Sequence, residues 1–432
     1  MGCRRCCYRI GGGPFANFRF RHILQKIDLS GEIQYNIIFD FAVIGWYDLE
    51  GLSIMRQADQ KSEISGRNLN IAFPHLHWFW VPAAALIQGL GHTAVIPPSI
   101  TRKTYDLGTR LAPEGICLPF KLTLANMLQA VDNGADTWLM AGGIGPCRFG
   151  YYSNLHMAIA KELGVDILSL ELDPGVTLRS NFGQLRDTLF ANSKPIGIML
   201  AIIRSWRKLR YCCKIERATN HYAPHSSNSK QIYRYADLAY ESIHSTNSAR
   251  QMRATYRKTV SMYKKITREQ PANQPVLKVL IIGEIYTVLE PRSNLYIEKK
   301  LASLNVSVVR HLWLDHWILE NLVQAPIRPF RNWIHRVRTH RFLDYAIGGH
   351  GLENCAQVTH MVGHKKIDGI IHVYPFGCIP EIVAKSILPK LTENYEIPLL
   401  SIAVDEQTAE AGLKTRLEAY CDLIRRSKVP RG

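Results

Sequence analysis

Short apolar runs typical of buried strands alternate with helical patterns over much of the first half of the chain. The predicted strands are Leu69–Phe73, Thr93–Ile96, Thr137–Ala141 and Val165–Leu172. The predicted helices are Pro82–Leu90, Leu122–Val131 and Tyr151–Leu163. Because strands that alternate with helices favour parallel pairing, this region predicts a Rossmann-like α/β lobe.

The same alternation returns towards the end of the chain. The predicted strands there are Val276–Ile282, Val306–Val309, Ile367–Val373 and Pro398–Val404. The predicted helices are Asn294–Leu304, Glu381–Leu391 and Glu410–Ile424. Between them, the stretch from Arg328 to Arg341 is basic and poorly patterned. The sequence therefore predicts a second, similar α/β lobe with a parallel sheet.

The region between the lobes has helix-length amphipathic stretches, among them Tyr233–Ile243 and Ala249–Ile266, and a polar loop at Asn220–Lys230. Residues 1–66 show no sustained hydrophobic period of either a helix or a strand. The predicted division is a poorly patterned N-terminal extension at 1–66, a first α/β lobe at 67–178, a basic helical insert at 179–275 and a second α/β lobe at 276–432.

The extension allows two interpretations. One is that natural synthesis starts at Met55 and that residues 1–54 precede it. The other is a second metal site at Cys3, Cys6 and Cys7, which is disfavoured because no matching second group of ligands follows.

Composition and length narrow the class of protein. The chain has 432 residues, of which 47% are hydrophobic, enough for two ordinary domains. Its ten cysteines are too sparse for a disulfide scaffold, so a reducing cytoplasm is expected. No apolar run reaches the roughly 20 residues of a membrane span, and no secretory signal is recognisable, so neither a membrane nor export is expected.

The formal net charge of +17 is concentrated in the insert. From Arg179 to Arg268 there are 18 Lys and Arg against four Asp and Glu, which gives +14. No zinc finger and no aromatic pattern of an RNA-binding motif accompanies this charge, so nucleic acid is a disfavoured partner. The insert predicts a solvated helical face or a groove for a phosphate-bearing ligand such as a coenzyme A ester.

Three cysteines far apart in the chain share one local setting, a Gly/Pro turn ahead of a helix-like run. The settings are Glu-Gly-Ile-Cys117-Leu-Pro, Ile-Gly-Pro-Cys147-Arg-Phe and Pro-Phe-Gly-Cys378-Ile-Pro. Backbone amides and the positive end of the helix dipole would favour a thiolate at such positions. Three thiolates can hold a 4Fe–4S cluster and leave one iron open. The sequence therefore predicts a metal site formed by Cys117, Cys147 and Cys378.

For any one cysteine alone, a small buried side chain is the better interpretation. None of Cys117, Cys147 and Cys378 belongs to a Cys-x-x-Cys pair, which disfavours a zinc ribbon and a bacterial ferredoxin at this site. Cys147 and Cys378 each follow a predicted strand, so both should lie at the sheet edge where ligands gather. The remaining cysteines after residue 66 lack the turn and are interpreted as packing or surface thiols: Cys212, Cys213, Cys355 and Cys421.

Two further residues are weak catalytic candidates. Glu114 lies three residues before Cys117 and could approach an open iron, and His350 in Gly348-Gly-His-Gly351 could donate a proton or contact an anion. A structural histidine in a turn is equally compatible with the pattern. Glu381 and Glu406 are interpreted as first-turn residues that complement helix dipoles. No Walker A motif is recognisable, since Gly142-Gly-Ile-Gly145 lacks the Lys-Ser/Thr pair.

These segments together resemble the 2-hydroxyacyl-CoA dehydratase subunit superfamily, and most closely its branch called CoA protein activase or acyl-CoA dehydratase activase-related protein. The resemblance covers about residues 69–175 and 276–424. The segments that carry it are Phe73-Pro-His75, Gly108–Lys121, Ala141–Tyr152, Gly283-Glu-Ile-Tyr286, Glu290-Pro291, Asn294 and Tyr374–Glu381.

The resemblance implies two α/β domains that hold an iron–sulfur cluster through three cysteines, which correspond to Cys117, Cys147 and Cys378. It also implies an ATP-dependent activator protein with its own cluster, which delivers electrons for radical removal of a hydroxyl group from an acyl-CoA in anaerobic metabolism. The chain would be the electron-receiving lyase or reductase component, in a homo- or hetero-oligomer, and not itself an ATPase. The alternatives are a non-catalytic scaffold with a structural cluster or none, and a zinc-dependent hydrolase.

Overall fold

A computed structural model describes residues 67–142, 147–172, 185–320, 328–339, 342–343, 347–363, 367–393 and 395–428, apart from some side chains near residue 330. All of these residues belong to one compact unit. The predicted extension at 1–66 lies outside the described residues, as do Gly143 to Pro146 of the glycine-rich loop.

The first lobe is built on a parallel sheet of four strands in the order β2-β1-β3-β4. The strands are β1 Asn70–Ala72, β2 Thr93–Val95, β3 Thr137–Ala141 and β4 Leu168–Leu172. The predicted parallel pairing is confirmed. Strand β4 begins three residues later than the predicted Val165, because Val165 instead closes the turn after the preceding helix with a backbone hydrogen bond to Ala160.

The helices of this lobe are α1 Trp80–Gly89, α2 Arg102–Leu111, α3 Leu118–Asp132 and α4 Tyr152–Glu162. Helix α2 was not predicted, because only two of its residues are buried and its sequence is mostly polar. A capping box at Thr101 starts it. At Gly108 it lies so close to α3 that a Cβ there would be 2.1 Å from the carbonyl oxygen of Lys121.

Three helices form the middle of the described chain: α5 Pro195–Tyr222, α6 Ser229–His244 and α7 Ala249–Glu269. The predicted loop at Asn220–Lys230 is shorter in the structure, because α5 runs on to Tyr222 and the Asn228 side chain caps α6 through the backbone N–H of Gln231. Buried residues of α5 to α7 pack in one cluster with Trp78 of the first lobe and Leu289 of the second. The helical region therefore contacts both lobes.

The second lobe repeats the design of the first. Its strands are β5 Leu277–Gly283, β6 Val306–Arg310, β7 Gly369–Pro375 and β8 Leu399–Val404, parallel and in the order β6-β5-β7-β8. Every residue of β7 is buried because apolar clusters cover both faces, with Ile370 in one cluster and Ile371 in the other. The protein is thus an α/β protein with two Rossmann-like lobes.

The helices of the second lobe are α8 Ile285–Leu289, α9 Ile297–Ser303, α10 Leu314–Ile318, α11 Arg328–Thr339, α12 Gly351–Gly363, α13 Ile379–Glu393 and α14 Glu410–Ser427. The stretch that was interpreted as poorly patterned contains α11, which is strongly amphipathic. The many basic residues of α11 obscured its helical hydrophobic period in the sequence. Among the described helices, none is long and apolar enough to cross a membrane.

Polar and apolar contacts hold the two lobes together. Ile100, Leu118 and Leu122 of the first lobe pack in the same cluster as Val373 and Ile402 of the second. Beside it, buried Glu290 accepts a hydrogen bond from the backbone N–H of His77 (2.6 Å) and lies 3.0 Å from Nδ1 of His75. The Tyr286 hydroxyl donates to the His75 carbonyl at 3.0 Å. These contacts join the carboxyl end of β1 to the carboxyl end of β5.

Candidate metal centre

Each of the three predicted ligand cysteines lies directly before a helical segment. Cys117 caps α3, Cys147 precedes the 3-10 turn Arg148–Tyr151 that leads into α4, and Cys378 precedes α13. The predicted position before a helical segment is confirmed for all three cysteines, whereas the turn residues directly before Cys147 lie outside the described residues. Proline in the first turn of α3 and of α13 is compatible with a helix start, because the missing N–H has no intrahelical partner there.

Cys147 and Cys378 lie at the same point of their respective sheets. Cys147 follows β3 and Cys378 follows β7, and each of these strands pairs with the first strand of its lobe. The order of the strands reverses between β1 and β3 and between β5 and β7, and the crevice at such a point is where open α/β sheets bind ligands. Both cysteines therefore occupy the position at which open α/β sheets bind ligands.

Arg148 connects the three cysteine turns to one another. Its Nη1 donates to the carbonyl oxygen of Gly115 at 3.0 Å, in the turn before Cys117, and its Nη2 donates to the carbonyl oxygen of Gly377 at 2.5 Å, directly before Cys378. A Cβ on Gly377 would lie 3.3 Å from the Gly115 oxygen. The turns that carry Cys117, Cys147 and Cys378 thus meet at the boundary between the lobes.

The three thiols also act on each other electrostatically. Burial raises the pKa of each, to about 11 at Cys147, and Cys117 and Cys378 are only 7% exposed. Negative charge on Cys117 raises the pKa of Cys147, and negative charge on Cys147 raises that of Cys378. The three sulfurs therefore lie close enough for a negative charge on one to affect the protonation of another.

The expectation that helix starts favour a thiolate is wrong for these residues. The backbone N–H of Phe120 near Cys117, of Phe149 near Cys147 and of Glu381 near Cys378 does lower each pKa, but loss of hydration raises it more. At Cys117 and Cys147 no capping hydrogen bond to the sulfur forms. A metal cation would have to displace the protons of these thiols, so metal binding would be coupled to proton release.

The main acidic group of the site, Glu284, was missed by the sequence interpretation. It follows β5 directly, and its carboxylate accepts hydrogen bonds from the backbone N–H groups of Tyr286 (3.0 Å) and Thr287 (2.8 Å). Burial raises the pKa of Glu284, and its charge in turn raises the pKa of all three cysteines. Its position directly after a central strand, opposite the strand that precedes Cys378, was the signal that could have identified it.

The two weak candidates occupy different positions. Glu114 is exposed on the turn before Cys117. His350 is partly buried, and its Nε2 lies 3.2 Å from Trp317 Nε1 and 4.0 Å from Glu353 Oε2. A positive charge on His350 would lower the pKa of Glu284, so the imidazole lies near the carboxylate of the site.

Glu381 and Glu406 were both interpreted as first-turn residues. Glu381 is in the first turn of α13, but it is fully buried and bonded to His372 Nε2 (2.8 Å) and Asn354 Nδ2 (3.0 Å). The interpretation of Glu406 is wrong. It lies in the turn after β8, four residues before α14 begins, and pairs with Lys121 Nζ at 2.5 Å. This ion pair joins the lobes instead of capping a helix.

Three cysteine thiols are a donor set that an iron–sulfur cluster with one open iron can use. Within the described ranges, no three His, Cys, Asp or Glu side chains form a ready group for one metal ion. A cluster binds each cysteine through a different iron, so its ligand sulfurs lie farther apart than those around one ion. Cys117 and Cys378 are buried and Cys147 is half-buried, and their positions on three converging segments are compatible with that arrangement.

A second pocket lies between the helical region and the second lobe. Its polar lining includes Glu216, Asp237 and Glu298, and Arg310 lies 2.6 Å from Glu216 and 3.3 Å from Glu298. Arg310 and Lys299 offset part of this negative charge. Exposed basic residues of α7 such as Arg253 and Arg257 form a solvated face.

The four remaining described cysteines are all buried and pack in apolar clusters. Cys212 and Cys213 of α5 pack in the cluster of the helical region, and Cys355 of α12 and Cys421 of α14 pack in clusters of the second lobe. Their interpretation as packing thiols is confirmed, and none of them lies on the surface.

No protein-family model matches the chain, and no curated protein matches it. The resemblance to the dehydratase superfamily therefore stays a prediction that rests on the motif residues alone. The structure places several of those residues at the lobe boundary: His75, Tyr286 and Glu290 join the lobes, while Cys117, Cys147 and Cys378 lie on the converging turns.

His156 of α4 lies behind the site. Because it is buried, we expect the folded protein to lose stability in mild acid. His156 is fully buried beside Thr123 Oγ1 (3.3 Å), and burial lowers its pKa from 6.5 to about 3. Between these values the unfolded chain binds a proton that the folded protein does not, so stability present above pH 6.5 is lost as the pH falls. At pH 5 the expected loss is about 2 kcal/mol.

The measurement is urea unfolding at pH 7 and at pH 5. His156→Gln cannot take up the proton, so its free energy of unfolding should fall less between the two pH values than that of the wild type. Equal changes in the two proteins would show that His156 does not cause the acid sensitivity.

Proposed function

We propose that this chain is an iron–sulfur redox protein that receives an electron from an ATP-dependent activator protein and passes it to a substrate of the acyl-CoA type. The observation that carries the proposal is the pair of hydrogen bonds from Arg148 to Gly115 and Gly377, which brings three cysteine turns from two lobes together. Such a protein would work in a reducing cytoplasm, because an open iron is sensitive to oxygen.

Cys117, Cys147 and Cys378 would hold the cluster, with one iron left without a cysteine. When bound, a 4Fe–4S cluster supplies one-electron transfer at low potential and an open coordination position. Burial of Cys117 and Cys378 would limit the access of water to this position.

The protein's own groups would orient the reactants and manage protons. Arg148 fixes the spacing of the three turns. Burial makes the Glu284 carboxyl retain its proton to a higher pH than an ordinary glutamate, so this oxygen pair can give or accept a proton in the crevice. His350 lies close enough to Glu284 for a positive charge on its ring to lower the pKa of the carboxyl, so a protonated His350 would help return that proton to Glu284.

A protein partner is supported by the surface beside Cys378. Phe376 is 66% exposed, Ile379 is 50% exposed and Ile382 is 48% exposed, and these side chains lie on the cysteine turn and the first turn of α13. Contiguous exposed apolar side chains mark surfaces that bind other molecules. An activator that docked here would bring its electron close to Cys378.

The first test is the iron content of protein purified without oxygen. We expect brown protein with about four irons per chain and an absorption that bleaches in air, because one iron is open. Colourless protein with one zinc per chain would contradict the proposal and favour the zinc-dependent hydrolase. Colourless protein without metal would favour the scaffold.

The second test separates electron transfer from a structural cluster. Cluster-loaded protein is mixed with a cognate activator ATPase, reductant and ATP, and cluster reduction is followed by electron paramagnetic resonance. Reduction should require both the activator and ATP. Equal reduction without ATP, or ATP turnover by this chain alone, would overturn the proposal, and absence of reduction under all conditions would favour the scaffold.

A further inference from the structure

One of the three cysteines has a side-chain hydrogen bond that the others lack. The Tyr152 hydroxyl lies 2.7 Å from Cys117 Sγ, and both groups are buried. Among the described hydrogen bonds, neither Cys147 nor Cys378 receives a side-chain donor. The three cysteines are therefore chemically unequal.

Aromatic contacts hold the ring of Tyr152 in place beside Cys117. Tyr152 is 3% exposed, and its ring makes edge contacts with Phe120 and Phe149, each with centroids 5.1 Å apart. In the described part of the chain, Cys117 is its one hydrogen-bond partner. Burial also raises the pKa of Tyr152 well above its ordinary value, so the hydroxyl keeps its proton.

We propose that Tyr152 is a positioning residue that donates a hydrogen bond to the Cys117 sulfur and so reduces the negative charge this ligand gives to a bound cluster. This inference rests on the proposed function. A cysteine bound to iron carries no proton, so the tyrosine O–H is the donor. Hydrogen bonds to cluster sulfurs stabilise the reduced, more negative form and raise the reduction potential.

The location of Tyr152 strengthens the assignment. It begins α4, and the loop before it carries both Cys147 and Arg148. One short segment thus supplies a ligand, the arginine that joins the turns, and the donor to a second ligand. A change in the position of this segment would alter Cys117 and Cys147 together.

The test is Tyr152→Phe, which keeps the ring and removes the hydroxyl. Cluster-loaded Tyr152→Phe should keep its iron and have a lower midpoint potential than the wild type. The matched control is Tyr263→Phe in α7, which removes an equally buried hydroxyl bonded to Thr219 (2.9 Å) and should leave the potential unchanged. Unchanged potential in Tyr152→Phe, or the same shift in both variants, would overturn the proposal.

A second measurement needs no cluster. Metal-free protein is treated with iodoacetamide at one pH, and the alkylation of Cys117 relative to Cys378 is measured by mass spectrometry. Loss of a hydrogen bond to a charged sulfur should slow the relative alkylation of Cys117 roughly tenfold in Tyr152→Phe. If wild-type protein binds no cluster but this shift is found, the proposed function fails while the hydrogen bond stands. If the alkylation ratio is unchanged, the hydrogen bond is refuted whatever the protein binds.

Discussion

Single replacement of Cys117, Cys147 or Cys378 by alanine is expected to remove most of the bound iron. With three protein ligands, loss of one leaves a cluster held by only two, and the vacated position opens to water. The three sites lie on different turns, so no neighbouring cysteine on the same turn can substitute. Iron analysis after anaerobic purification measures the effect.

The matched controls are Cys355→Ala and Cys421→Ala. Both cysteines are fully buried but pack in apolar clusters, so their replacement should cost only about 1 kcal/mol of stability and leave the iron content unchanged. If the control variants lost as much iron as the other three, general unfolding would explain the result and the ligand assignment would be wrong.

Gly283→Ala is expected to destabilise the protein by about 3 kcal/mol or more, because the new methyl group cannot be accommodated. Gly283 ends β5 with φ at 149°, and a Cβ there would lie 1.7 Å from the carbonyl oxygen of Val373 on the neighbouring strand. The backbone region with such a φ is essentially restricted to glycine. Relief of the clash would also displace Glu284 and the crevice beside it.

Gly412→Ala provides the control in the same lobe. Gly412 lies in α14, and a Cβ there would have no atom within 4 Å. Alanine should stabilise the helix by up to about 1 kcal/mol. Urea unfolding of both variants tests the prediction, and a loss of less than 1 kcal/mol in Gly283→Ala would show that the two strands separate easily.

The two lobes could be predicted because their apolar periods are local. Strands such as Thr137–Ala141 are short apolar runs bounded by turn residues, and helix α14 keeps a clear amphipathic period. Helix α5 was missed as a unit because its apolar start is followed by a basic run, and tertiary packing, not its own pattern, holds it. The sequence therefore predicts the helices and strands whose own residues show a clear hydrophobic pattern, and it misses those that depend on packing with the rest of the protein.

The cysteine turns were predictable for the same reason, since the Gly/Pro setting of each is contained in a few residues. The groups around them were not. Glu284 lies near the cysteines only because the two sheets face one boundary, and Lys121 pairs with Glu406 across 285 residues of chain. The raised pKa of the thiols also depends on burial, which the sequence does not specify.

The hydrogen bond between Arg148 and Gly377 limits when the three cysteines can come together during synthesis of the chain. These residues are separated by 229 positions, so a ribosome that adds about 5 to 20 residues per second needs roughly 10 to 50 s to make the chain between them. The first lobe can fold during that time, with Cys117 and Cys147 already placed and Cys378 not yet made. Delivery of iron and sulfide would therefore have to wait until translation has passed Cys378.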